Sequence, residues 1–352
     1  MVNIRPFREE DNDSLLNIEK LCPQGNEECA MIIDKGPDIT ARYEIYDNWE
    51  IRVAEKNATA VGWIGWTIKK GTDEPYLYIA EVMVHPDHKN QGLEVELVRE
   101  AEKAAAEAKA SYIYCYAYEP NEEFMDLFEK LGYMREKSIQ AISISAYKKE
   151  NMESGYEIER INAEDIHDTI KLINSYYHGN AQFFPFTIES FKDYTERILG
   201  YGLENFITAK WKGHIVACAG FWDASVLMEV TYTKEPMMWK VMANAYGILR
   251  HFTRVPDIPT EGEVCKMHSI VDFAFEQEHS PAMEEIIDYC NNLMFETNCK
   301  FFGAYTDPDD PVLGVLKKFK PMHENLYLYA KPISGKIPDF SRIYVDCRDT
   351  IL

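Results

Sequence analysis

No apolar run in the chain approaches the roughly 20 residues needed to span a bilayer. No CxxC pair and no group of histidines offers the spacing of a zinc site, and no Lys/Arg cluster stands out as a phosphate-binding patch. A membrane-spanning role, a metal centre and nucleic-acid binding are therefore not expected. The net charge of −22 points the same way, since phosphate contacts need basic residues. It serves solubility, or it steers a cationic amine or basic peptide toward a site. Eight cysteines (Cys22, Cys29, Cys115, Cys218, Cys265, Cys290, Cys299, Cys347) are scattered without the pattern of a disulfide framework. Cys115 and Cys218 sit inside apolar strand patterns and read as buried thiols. The opening Met1-Val2-Asn3-Ile4-Arg5-Pro6 lacks the apolar core of an export signal, so a cytoplasmic location is expected.

What the chain does have is a repeat. At 352 residues it is long enough for two domains of average size, and its 46% hydrophobic content is that of globular proteins. Ile4 to Asp11 and Ile158 to Asp165 each read as a strand and an acidic turn, followed by an apolar-periodic helix. Ile51 to Trp66 (IRVAEKNATAVGWIGW) and Phe206 to Phe221 (FITAKWKGHIVACAGF) are both hairpins, with Ala54 matching Ala209 and Gly65 matching Gly220. Tyr112 to Tyr118 corresponds to Phe301 to Tyr305. The helix faces Phe124, Leu127, Phe128, Leu131 and Val312, Val315, Leu316, Phe319 follow. The constant order with a single jump indicates duplication plus one insertion of about 32 residues. Two units are expected, 1–150 and 151–352, joined near Lys148 to Gly155, with the insertion near 223–263. Trp239, Met242, Tyr246 and Leu249 share one side of a helix within that insertion. The fold class is α/β (α+β), each unit a mixed, mostly antiparallel sheet flanked by helices.

The segment Tyr76 to Ala108 carries the chemistry. A strand ends at Val84-His85-Pro86-Asp87-His88, a polar loop with one glycine follows, and a helix then presents Leu93, Leu97, Ala101, Ala104 and Ala108 on one face. Strand, loop and helix N-terminus in this order aim backbone N–H groups at one spot, which suits a pyrophosphate.

This segment resembles the acyl-CoA loop of the GNAT superfamily, V-x-P-x-x-(R/Q)-x-x-G-x-(G/A). Val84, Pro86 and Gly92 match, Lys89 replaces Arg or Gln, and Glu94 replaces the second small residue. Asn121 to Tyr133 (NEEFMDLFEKLGY) resembles the family's last helix. The C-terminal half keeps the element order, but its loop, Phe275 to Met283, has no glycine. The resemblance implies two tandem GNAT-like domains, with clear motifs in the first half and degenerate ones in the second. It implies transfer of an acyl group, usually the acetyl of acetyl-CoA, to an amine by direct attack on the thioester, with no metal. The coenzyme site implied is Val82, Met83, Val84, Lys89, Asn90, Gln91, Gly92, Leu93, Glu94 and Asn121.

Glu81, on the strand beside the expected thioester, is the candidate general base. The family's usual acid, a tyrosine on the last helix, is replaced by Phe128 in the first half and Leu316 in the second. A non-catalytic binding or regulatory protein on a duplicated scaffold is therefore the alternative, and a second-half site using His268 or Asp272 is a third reading. The acceptor is a small-molecule or peptide amine of unspecified kind, and a homo-oligomer is left open.

Overall fold

The computed structural model describes residues 2–71, 74–147, 155–249, 258, 260–297 and 299–350. The first half runs β1 (Asn3–Pro6), α1 (Asn12–Leu21), β2 (Gln24–Gly25), β3 (Ala30–Asp34), α2 (Ala41–Glu44), β4 (Trp49–Lys56), β5 (Thr59–Lys69), β6 (Tyr76–Val84), α3 (Leu93–Glu107), β7 (Tyr112–Tyr118), α4 (Glu122–Lys130) and β8 (Met134–Ser145). The second half repeats that order with additions. It runs β9 (Glu157–Arg160), α5 (Ile166–Tyr176), α6 (Ile188–Arg197), β10 (Phe206–Trp211), β11 (His214–Asp223), β12 (Glu229–Lys234), α7 (Met237–Leu249), β13 (Val264–Cys265), β14 (His268–Phe275), α8 (Ser280–Glu296), β15 (Phe301–Thr306), α9 (Val312–Leu316) and β16 (Met322–Pro332). Among the described residues no helix is long and apolar enough to cross a membrane.

Twelve strands form one continuous sheet in the order β1-β4-β5-β6-β7-β16-β8-β15-β14-β11-β10-β9. The order is symmetric about the boundary between β16 and β8, with one exchange. The last strand of the second half, β16, covers β7 of the first half, and the last strand of the first half, β8, covers β15 of the second. All neighbours are antiparallel except β6 with β7 and β14 with β15. Lys148 to Ser154, where the joint between halves is expected, lies outside the described residues. A four-stranded sheet, β13-β12-β3-β2, crosses between the halves, because β12 from the inserted segment pairs with β3 through Glu229↔Asp34 and Val230↔Ile33.

The alternation of YIYCYAY explains how β7 divides the core. Ile113, Cys115 and Ala117 face α3, where Leu93, Leu97, Val98, Ala101 and Ala105 are buried. Two of these, Val98 and Ala105, replace the expected Ala104 and Ala108. The buried stripe runs on at i, i+4 through Leu93, Leu97, Ala101 and Ala105, leaving Ala104 and Ala108 half-buried at its margin. Tyr112, Tyr114 and Tyr116 pack on the opposite face with Tyr76 and Tyr78 of β6, Tyr112 stacked on Tyr76 and the other rings tilted or edge-on. The chain's last described turn docks there. Lys69 Nζ lies 2.7 Å from Asp346 and 2.8 Å from Asp349, and the hydroxyls of Tyr46 and Tyr114 donate to Asp349 at 2.8 and 2.6 Å. A buried lysine is tolerable only with such partners. The second core lies between α8, α9 and strands β10, β11, β14 and β15, where Val312, Val315, Leu316 and Phe319 are all buried as their spacing predicts.

Candidate active-site cleft

Strands β6 and β7 pair only from Leu77↔Ile113 to Ile79↔Cys115. Beyond that point Gly65 of β5 pairs with Glu81 and Trp66 with Ile79, so Ala80 is the extra residue of a bulge. A bulge bends its strand and releases local pairing. Here it leaves the edge of β6 from Ala80 to Val84 without a sheet neighbour on the β7 side, and a cleft of about 280 Å³ opens between the strands. Its walls are Ala80 to Val84, Tyr116 to Tyr118, the segment Cys22 to Gly25, and Phe124 and Leu127 of α4. That explains why the apolar face of α4 is only half-buried apart from Phe128: part of it faces the cleft.

The loop after β6 ends at Gly92, which holds φ of 81° as the N-cap of α3, and Asn90 holds φ of 60°. Both angles lie in the left-handed region, where a glycine is unstrained. A Cβ added to Gly92 meets nothing within 4 Å. The loop surface there is open, as the approach of a phosphate requires. Val82, Met83, Val84, Lys89, Asn90, Glu94 and Asn121 all line the cleft. Gln91, Gly92 and Leu93 do not: Gln91 donates to the Asp87 carbonyl at 3.3 Å and Leu93 is buried against the α3 core. Asn121 caps α4, accepting from Phe124 N at 3.2 Å. Lys89 pairs with Glu123 at 3.0 Å across the cleft mouth, and Glu94 stands half-exposed within it.

Glu81 needs a correction. Its side chain is buried, and its carboxylate bonds Lys35, Arg42 and the Tyr43 hydroxyl, the last at 2.9 Å. Burial alone raises its carboxyl pKa, but the Arg42 guanidinium and the Lys35 ammonium outweigh that and hold it below the ordinary carboxylate range. A base must have a pKa near the working pH. Glu81 is instead the anion that compensates two buried cations and ties α2 to β6. Lys35 also lies 2.8 Å from Glu19, whose pKa burial pushes up to about 7.

The sequence reading passed over Tyr116. The residue is part of the cleft wall, and its buried hydroxyl has no hydrogen-bond partner among the described residues. Burial raises its pKa well above that of a free tyrosine, so it stays protonated. The signal was present in the YIYCYAY alternation, which puts Tyr112, Tyr114, Tyr116 and Tyr118 on one face. Phe128, at the usual acid position, is fully buried between Phe124 and Tyr133 with centroids 4.6 and 4.8 Å away.

In the second half, β14 and β15 part after His268↔Phe302 and Ser269↔Gly303. That gap is closed by the chain itself. Ile343, Val345, Cys347 and Thr350 line it, and about 10 Å³ remains. Asp272, with φ of 48°, accepts from Tyr194, Tyr201 and Tyr344 at 3.3, 2.9 and 2.5 Å, and burial lifts its pKa from 3.8 to about 6. His268 stands 3.7 Å from Asp223, and burial lowers its pKa. Asp272 lines only that remnant, and His268 lies against the Phe221 ring with centroids 5.5 Å apart. Among the described residues, no group of His, Cys, Asp and Glu is arranged to hold a metal ion.

Residues 13–133 match the model of the acetyltransferase (GNAT) family. No curated protein matches the chain in sequence. Among solved structures, a GCN5-related N-acetyltransferase from Sphaerobacter thermophilus aligns with a TM-score of 0.63 at 12% identity, covering 99% of this chain and 98% of its own. The Saccharomyces cerevisiae N-myristoyltransferase with bound myristoyl-CoA aligns at 0.62 and 12% identity, over 97% and 86%. A tandem GNAT protein from the clavulanic acid biosynthesis pathway aligns at 0.57 and 10% identity, over 96% and 100%. At these identities the likeness is one of fold.

Proposed function

We propose that this chain, whose residues 13–133 match the model of the acetyltransferase (GNAT) family, transfers an acyl group, the acetyl of acetyl-CoA, to an amine by direct attack on the thioester. The observation that carries this reading is the cleft itself: strands β6 and β7 separate beside a loop whose backbone enters the left-handed region at Gly92. Acetyl-CoA supplies the activated carbonyl. The unpaired edge from Ala80 to Val84 offers backbone donors to the pantetheine chain and to the charge that develops on the carbonyl oxygen, each donor worth about 3 kcal/mol. Lys89, Asn90 and the N-terminus of α3 face the pyrophosphate. Glu94 opposes it, repelling by about 1 kcal/mol where solvent screens the pair. Val82, Met83, Val84 and Asn121 wall the cleft, and Gln91, Gly92 and Leu93 shape the loop. Tyr116, still protonated and part of the cleft wall, gives its proton to the departing sulfur in place of the tyrosine that Phe128 replaces, and the proton that the amine sheds on becoming an amide restores the phenol.

The second half, 151–352, serves this reading as scaffold: its own gap is filled by residues 343–350, and it lends β16 and β12 to the first half, 1–150. The cysteines are all free, which suits the reducing cytoplasm. Full burial of Phe128 favours the alternative of a binding or regulatory protein, which would hold acetyl-CoA without turnover. Calorimetric titration of acetyl-CoA into the full-length protein and its Gly92→Val variant tests the placement. A β-branched residue is strained at this φ, so binding should weaken at least tenfold, and equal affinities would put the nucleotide elsewhere. A variant Tyr116→Phe that keeps wild-type turnover would remove the proton-donor role.

A further inference from the structure

Beyond the cleft, on the same face of the sheet, the carboxylate of Glu324 has no cation paired with it among the described residues. Glu324 of β16 and Tyr305 of β15 both pair with Ala141 of β8, one from each side. Residues in register across a sheet project from the same face, so these side chains rise together. Leu326, two residues along β16, pairs with Tyr118 of β7, which puts Tyr118 on that face as well. Tyr118 also lines the cleft and hydrogen-bonds Glu324, so it borders both. The inserted strand β12 brings Tyr232 over the group, with Cys29 beside it at the start of β3: the charge on Glu324 acts on Tyr118, Tyr232, Tyr305 and the Cys29 thiol alike. Among the described residues no Lys, Arg or His is paired with Glu324. The other acidic neighbour, Glu119, only adds negative charge.

A half-buried carboxylate needs a compensating cation or a proton. Tyr118 directs its hydroxyl at the carboxylate, and Tyr232 and Tyr305 stand within reach of its charge; aromatic neighbours of this kind tolerate an ammonium group. We infer that Glu324, with Tyr118, Tyr232 and Tyr305, is the recognition site for the protonated amino group of the acceptor, next to the cleft wall at Tyr118, where the group docks as an ammonium ion and gives one proton to solvent before it attacks the thioester. This rests on the transferase reading above and assigns it a substrate class: amines that arrive as ammonium ions, whether on a small molecule or at the start of a peptide. The site is assembled from both halves, with β7 from the first, β15 and β16 from the second, and the insertion closing it. The chain's net charge of −22 draws such ligands in. Burial raises the carboxyl pKa above its ordinary value of 4.5, while the facing Tyr118 hydroxyl lowers it in part. Ammonium binding therefore falls away at a pH above that ordinary value as the solution is acidified.

The test uses saturation-transfer NMR on the full-length protein without coenzyme. Three probes are compared: n-butylamine, n-butanol as its uncharged isostere, and glycylglycine amide with a free amino terminus. The amine should bind at least tenfold more tightly than the alcohol, and Glu324→Gln should abolish the difference while leaving acetyl-CoA affinity within twofold. A peptide bound more tightly than butylamine identifies a chain terminus as the natural acceptor, and the reverse identifies a small amine. Equal binding of amine and alcohol, or an unchanged preference in Glu324→Gln, overturns the inference. Should that variant fail to fold, Tyr118→Phe decides: removing the hydroxyl raises the Glu324 pKa, so the midpoint for loss of amine binding must move to higher pH, and a fixed midpoint rejects the site. Failure of wild-type protein to bind acetyl-CoA is a separate result that sinks the transferase reading and leaves the ammonium measurement standing.

Discussion

A Cβ placed on Gly65 falls 1.9 Å from the hydroxyl oxygen of Tyr43, and the same contact recurs in the second half, where a Cβ on Gly220 falls 2.0 Å from the hydroxyl of Tyr201. Each tyrosine passes over the bare backbone of its glycine to reach a buried carboxylate, Glu81 in one half and Asp272 in the other. Gly65→Ala should therefore displace Tyr43 from Glu81 and cost about 1–3 kcal/mol, the usual penalty of overpacking. Urea unfolding measures it. A loss below about 0.5 kcal/mol would mean that Tyr43 moves aside freely.

Glu81→Gln leaves Lys35 and Arg42 buried without their shared anion. We expect a loss of about 3–5 kcal/mol, as for other buried pairs stripped of one partner, seen as a lowered denaturation midpoint. The same variant, assayed at a temperature where it remains folded, should keep the wild-type shape of its pH–rate profile. Disappearance of an ionisation from that profile would restore Glu81 as the base.

Asp272 should make stability depend on pH in an unusual direction. Its folded pKa is about 6 against an ordinary 3.8, so between these values the folded state holds more protons than the unfolded one. Its contribution is fully present below pH about 4 and is lost as the pH rises through 6, by at most about 3 kcal/mol. Compared with Asp272→Asn, the wild type should lose stability steadily over this window. Parallel stability curves for the two proteins would contradict the shift.

Trp239 of α7 packs edge-on to Tyr232 with centroids 5.6 Å apart, so the insertion's helix supports the strand that roofs Glu324. Trp239→Ala combined with Tyr246→Ala should raise the acceptor KM severalfold while acetyl-CoA affinity stays within twofold. A folded double variant with normal kinetics would reduce the insertion to a cap on its own half.

The duplication, the hairpins and the loop at Gly92 were legible because each is a local pattern: alternation, spacing, a single glycine. Residues 113, 115 and 117 turned to α3 and the tyrosines to the other face as their period requires. Less legible was everything that depends on which strand meets which. Nothing in Met322–Pro332 names β7 as its neighbour, so Glu324 could not be connected with the first half's cleft. Glu81 read as a candidate base because its partners, Lys35 and Arg42, lie about 40 residues away in stretches without a strong pattern. The filling of the second cleft by Ile343 and Val345 was hidden for the same reason, since a tail's docking site is a tertiary fact.

The exchange of β8 and β16 sets a schedule for the chain as it is made. When residues 112–118 leave the ribosome, the strand that will cover their edge lies some 200 residues from being translated, about 10–40 seconds at ordinary elongation rates. Through that interval β7 presents an open row of backbone groups flanked by tyrosines, the kind of edge that recruits any passing strand. Slow elongation or a nonsense codon before the end of β16 therefore threatens the N-terminal half as much as the C-terminal one. Truncated products should accumulate in aggregates or on chaperones and not as a free, active first domain.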